Sequence, residues 1–296
     1  MTCLHLTARA AAALLFTSLL IGSVGASSRF VMPWMCLEDC GANASSITSQ
    51  LAQLSTPGIF TSAAFEDYDL CSNGTACKKS YRSRVSDRVA ALGLGSVAMV
   101  VSWDLDAIRA SFAAPALFIS SLNMILDNEP ALTGINLDFE PHGSNPPVGP
   151  VPTADDALAF AILLNITADA LHSRTPSVLL SADIATWTKF WDYSVLDHTR
   201  VDYLCDMESY NADFAFFQNQ VTFAMSHISP EKYVCGLSTT HESGPNQGKP
   251  FNTSELEWRF DFLKSKGVQK IAMWDTPLPL LWMPFLKAFV EDATPR

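Results

Sequence analysis

At 296 residues, with 48% hydrophobic and 17% charged side chains, the chain is long enough and apolar enough to bury one large core. Its formal net charge of −11 at pH 7 argues against nucleic acid and against anionic membrane surfaces, and suits a neutral or weakly cationic partner.

The N-terminal segment reads as a targeting signal. Arg9 is the sole charge before the apolar and small-residue run 10–24, and Val24-Gly25-Ala26 has the small side chains of a cleavage site. This is the pattern of a secretory signal peptide over residues 1–26, leaving 27–296 as one domain of a secreted or lumenal protein. The apolar run is short for a membrane span and no later segment matches one, so no membrane association is expected after cleavage.

Eight short apolar or β-branched runs follow, near 30–35, 58–65, 96–103, 134–140, 177–184, 201–210, 233–238 and 270–274. Helical periodicity appears near 44–54, 82–92, 114–128, 154–173, 188–198, 214–227, 254–266 and 279–291. Thr153 ahead of Asp155 and Asp156, Asn252 or Thr253 ahead of Glu255, and Gly267 after a helical stretch are helix-end signals. Strand–helix alternation predicts a parallel sheet, and eight units predict a single (β/α)8 TIM barrel of the α/β class. A doubly wound sheet is disfavoured by the count and by the lack of a Gly-rich phosphate loop after the first run. The Pro- and Gly-rich stretch 143–152 reads as a loop after the fourth strand, on the face where barrels carry chemistry.

Apart from Cys3 in the leader, six cysteines remain. Local pairing is expected: Cys36 with Cys40, Cys71 with Cys77, and Cys205 with Cys235 across consecutive strands. No C-x-x-C pair is present, and neither a metal nor a cofactor is expected. Asn43, Asn73, Asn165 and Asn252 head glycosylation sequons.

The most informative stretch is Thr133-Gly-Ile-Asn-Leu-Asp-Phe-Glu140. Strand side chains alternate between faces, so Asn136, Asp138 and Glu140 share one face and Ile135, Leu137 and Phe139 the other. Residues two apart lie about 6.6 Å apart, close enough for ionised carboxylates to repel and for one to retain its proton. That is what a general acid near neutral pH requires.

The heptapeptide Gly134-Ile135-Asn136-Leu137-Asp138-Phe139-Glu140 resembles the strand-four signature D-G-x-D-x-D-x-E of glycoside hydrolase family 18, the chitinases and their relatives. The resemblance implies a secreted barrel enzyme acting on an oligosaccharide or polysaccharide containing N-acetylglucosamine. Glu140 would be the general acid/base. Asp138 would orient the substrate's 2-acetamido group, which attacks the anomeric carbon with overall retention. Tyr210, followed by Asn211 at the end of the sixth run, matches the family's Tyr-Asp/Asn and would bond the acetamide carbonyl. Trp274, ending the eighth run, matches the tryptophan that floors the sugar subsite. Thr133 and Asn136 replace two aspartates of the signature, Phe139 replaces an aromatic Trp or Tyr, and Val101-Ser102-Trp103 stands where the family has S-x-G-G.

Other polar groups lie near predicted strand ends. Glu66 and Glu242 read as solvated loop acids, and Asp183 and Glu208 as substrate contacts or buried ion pairs. Asn136 and Asn211 join Trp274, Glu208, Asp183 and Trp34 as candidate substrate-binding residues, and Asn136 can also hydrogen-bond Asp138. His142 and His241 read as loop histidines, and Trp34, Trp103 and Trp187 as sugar platforms or core. Two alternatives remain open: a two-carboxylate glycosidase pairing Glu140 with Glu208 or Glu242, and a non-catalytic carbohydrate-binding protein.

Overall fold

A computed structural model describes residues 29–37, 40–79, 84–141, 151–210, 213–242 and 245–292. The leader, His142, Asn211 and most of the loop 143–152 lie outside these residues. Among the described residues nine strands form: β1 (Phe30–Met35), β2 (Ser62–Leu70), β3 (Ala76–Lys78), β4 (Gly95–Ser102), β5 (Gly134–Phe139), β6 (Leu179–Ile184), β7 (Tyr203–Asp206), β8 (Tyr233–Ser238) and β9 (Lys270–Trp274). All but β3 pair in parallel, and β1 closes the ring by pairing with both β2 and β9. The short β3 lies antiparallel on β2, a hairpin absent from the sequence reading.

The helices are α1 (Ala44–Leu54), α2 (Val85–Ala90), α3 (Leu105–Ala113), α4 (Pro115–Asn128), α5 (Ala154–His172), α6 (Tyr193–Leu196), α7 (Phe214–His227), α8 (Thr253–Ser265) and α9 (Trp282–Glu291). The barrel and its helical shell match the expected (β/α)8 architecture. Differences sit at local caps. Asp104 accepts from the backbone N–H of Asp106 at 2.9 Å and starts α3, a helix outside the stretches of helical periodicity found in the sequence. Strand β7 stops at Asp206, whose carboxylate accepts from Glu208 N at 3.1 Å while Ser209 Oγ donates to its carbonyl at 2.9 Å. Those bonds turn the chain into a 3-10 helix over Met207–Tyr210.

Alternation sorts the strands into two cores. Met32, Trp34, Ala64, Val97, Met99, Val101, Cys205, Val234 and Ala272 fill the lumen. Ile135, Leu137 and Phe139 of β5 enter the layer between strands and helices, as the sequence pattern required. Phe139 packs on Phe118 of α4 and Phe160 of α5, with ring centroids 6.3 and 5.8 Å away. This aromatic seam fixes the outer face of β5, and hence the direction of its inner face.

Two expected disulfides form, Cys36–Cys40 and Cys71–Cys77. The third does not: Cys205 and Cys235 are free and buried. The parallel register sets Cys205 opposite Val234 and Asp206 opposite Cys235, an offset of one residue. One residue reverses the facing of a strand side chain. Cys205 therefore lies in the lumen and Cys235 in the outer core. Alkylation of the native protein is expected to spare both thiols, and alkylation after unreduced denaturation to label both. A Cys205–Cys235 linked peptide in the unreduced digest would contradict the register.

Candidate functional site

The C-terminal ends of the barrel strands open into a cavity of about 480 Å³. Its lining gathers Asp138 and Glu140 from β5, Asp183 from β6, Glu208 and Tyr210 from the turn after β7, and Trp34 and Trp274 from β1 and β9. These residues are far apart in sequence and meet because each ends a parallel strand.

Glu140 continues directly from β5, its backbone N–H held by Ser102 O of β4 at 2.8 Å. Asp138 is 7% exposed and hydrogen-bonds Glu140, while its Oδ1 has no partner among the described residues. Burial first, then the charge of Glu140, then that of Asp183, push the Asp138 carboxyl well above the usual carboxylate range. Asp183 is pushed up to about 8, chiefly by burial; the hydrogen bond from Asn136 opposes that rise and the charge of Glu140 adds to it. Burial and the charges of Asp183, Asp138 and Glu140 likewise raise the Tyr210 phenol.

Among the described residues Asn136 hydrogen-bonds β6 rather than its strand neighbour Asp138. It lies fully buried beneath the cavity, and its Nδ2 donates to Ser181 Oγ and Asp183 Oδ1, each at 3.0 Å, so its amide serves β6 rather than Asp138. Asp183 lines the cavity and forms no ion pair among the described residues. Its hydrogen-bond partners are that amide and the Cys205 thiol. Glu66 is not a solvated loop acid either: it is 3% exposed, lines the cavity and pairs with Lys79 Nζ at 2.6 Å. Nothing in the sequence linked Glu66 to Lys79, which follows the β2–β3 hairpin.

Glu208 and Glu242 both line the cavity, but each already has a partner. Glu208 Oε2 accepts from Thr186 N at 3.1 Å, and Glu242 Oε1 accepts from Ser238 Oγ. His241 is buried, its ring tilted against that of Phe251 with centroids 4.4 Å apart. Four indoles reach the cavity. Trp34 is 1% exposed and meets Tyr210 edge-on at 6.2 Å; Trp103 and Trp187 are 47% and 48% exposed at its walls. Met207 and Phe216, not singled out in the sequence, add apolar lining.

Tyr210 has its place because Gly236 has no side chain. A Cβ on Gly236 would come within 2.5 Å of Asp206 O and 2.8 Å of Tyr210 Cε1. Ser209 Oγ also donates to Gly236 O at 2.5 Å, tying the turn to β8.

No protein-family model matches the chain, and no curated protein matches it in sequence. Solved structures share its fold. The spore cortex-lytic enzyme SleL of Bacillus cereus aligns with a TM-score of 0.70 at 13% identity, over 90% of this chain and 75% of that one. A chitinase from Chromobacterium violaceum aligns at 0.67 and 12% identity, over 88% and 99%. The group IV chitinase of Ostrinia furnacalis in complex with allosamidin aligns at 0.68 and 12% identity, over 90% and 100%. At such identities the likeness establishes the barrel architecture.

Gly236→Ala is expected to destabilise the protein by about 1–3 kcal/mol through overpacking against the Asp206–Tyr210 turn. Urea unfolding measures it. An unchanged midpoint and slope would show that the turn moves aside freely.

Proposed function

We propose that the protein is a secreted glycoside hydrolase resembling family 18, which cleaves N-acetylglucosamine-containing glycans with retention through the substrate's own acetamide. The observation that carries this reading is the hydrogen-bonded pair Asp138–Glu140 at the end of β5, in one cavity with Tyr210 and Trp274.

The chemistry follows from the electrostatics. Two carboxyls in a site shielded from water hold a proton between them, because two adjacent charges there are costly. Glu140, at the cavity surface, delivers that proton to the glycosidic oxygen as the bond to the anomeric carbon breaks. The acetamide oxygen forms the new bond to that carbon, giving a cationic oxazolinium. This cation compensates the second negative charge that proton loss leaves on the pair. The unpaired Oδ1 of Asp138 is an acceptor for the acetamide N–H, and Tyr210 a donor for its carbonyl. Glu140 then takes a proton from water, which opens the oxazolinium and restores the starting state. The indole faces suit the apolar faces of pyranoses. The signal-like leader and the two disulfides support a secretory route.

A mechanism with a second protein carboxylate would need Glu208 or Glu242 as nucleophile. Each accepts a hydrogen bond through one carboxylate oxygen, Glu208 from Thr186 N and Glu242 from Ser238 Oγ.

Glu140→Gln is expected to lower kcat/KM on chito-oligosaccharides by about 10²–10⁴-fold. Undiminished turnover would overturn the assignment. A thiazoline mimic of the oxazolinium is expected to inhibit competitively, and indifference to it would point to a protein nucleophile. Glycan binding by the wild type with no new reducing ends would make the protein a lectin.

A further inference from the structure

Position 136 lacks a carboxylate, and a carboxylate stands at the other end of its hydrogen bond. In the β5–β6 register Asn136 faces Ser181 and Leu137 faces Ala182. One step further sets Asp138 opposite Asp183, neighbours about 5 Å apart on one face of the sheet. Asp183 is 1% exposed and lines the same cavity. Its partners are the Asn136 amide and the Cys205 thiol, and among the described residues no cation figures in its surroundings. A buried carboxylate without a counter-ion is costly, and an amide or hydroxyl would fill a packing role at less expense.

The proposal rests on the glycosidase reading above. We propose that Asp183 is a positioning residue for that reaction, supplying from β6 the third carboxylate that position 136 does not supply from β5, so that the Asp138–Glu140 pair keeps a proton. Three carboxyls in one shielded site titrate as a unit and do not all ionise together. The groups facing Asp183 from neighbouring elements are Asp138 and Glu140 of β5, Cys205 of β7 and Tyr210 of the turn beyond it. Glu66 of β2 acts on Asp138 as well. The charges of Glu140 and Asp183 push in one direction, each raising the proton affinity of its neighbours. Removing the Asp183 charge therefore lowers the pH at which the pair gives up its proton. Asn136 fixes Asp183 through its Nδ2, so an exchange of the two residues conserves the hydrogen bond and returns the carboxylate to β5.

Carboxyl carbon NMR titration of the full-length protein tests this. With Asp183→Asn, the Asp138–Glu140 pair is expected to lose its proton at least about one pH unit lower than in the wild type. The alkaline limb of kcat/KM on chito-oligosaccharides should move in the same direction. The exchange variant, Asn136→Asp with Asp183→Asn, is expected to restore both. An unchanged titration in Asp183→Asn overturns the proposal, as does a wild-type Asp183 that titrates in one step independent of Asp138 and Glu140. The second criterion holds even where the variant fails to fold. A wild type whose three carboxyls titrate together but which hydrolyses no glycan supports the cluster and overturns the glycosidase reading.

Discussion

Strand β5 must satisfy two environments at once, and the rest of the molecule is arranged around that constraint. Its odd-numbered side chains, Ile135, Leu137 and Phe139, are fully buried against helices. Its even-numbered side chains face a closed lumen where charge is poorly solvated. Neither face can slip by one residue without exchanging apolar groups for carboxylates. The aromatic seam from Phe118 through Phe139 to Phe160 therefore does more than stabilise the shell. It sets where Asp138 and Glu140 point.

Among the described residues, the lumen answers that placement with polar groups. Asn136 bonds Ser181 and Asp183 below the cavity, and the Cys205 thiol bonds Asp183 from the next strand. Lys79, the partner of Glu66 at the cavity wall, pairs with Asp69 as well. The carboxyls of β5 and β6 raise one another's proton affinity, which the proposed acid catalysis near neutral pH requires. Tyr210 is brought to the same centre by the capped turn after Asp206 and by the missing side chain of Gly236.

Much of this was legible in the sequence because the physics is local. Period-two alternation defined β5 and its two faces, and β1, β8 and β9 fall where their apolar runs lie. The capped helices α1 and α7 match their periodic stretches, since Asn43 and Asp213 bond the first-turn amides. What remained hidden depends on lateral neighbours. The partner of Asn136 is set by the β5–β6 register, and the burial of Glu66 by a lysine beyond a hairpin. The free thiols had a readable signal: Cys235 shares its parity with Tyr233 and Leu237 of the outer core, whereas Cys205 shares its own with Tyr203, which packs on the lumen.

The central claim is that the nucleophile belongs to the substrate and that Asp138 and Glu140 serve it. The most direct measurement is hydrolysis of chito-oligosaccharide glycosides whose N-acetyl group carries zero, one, two or three fluorines. Each fluorine weakens the acetamide oxygen as a nucleophile and leaves its shape nearly unchanged. The account predicts a steep monotonic fall in kcat with fluorination; a flat series would contradict it and return the search to a carboxylate of the protein.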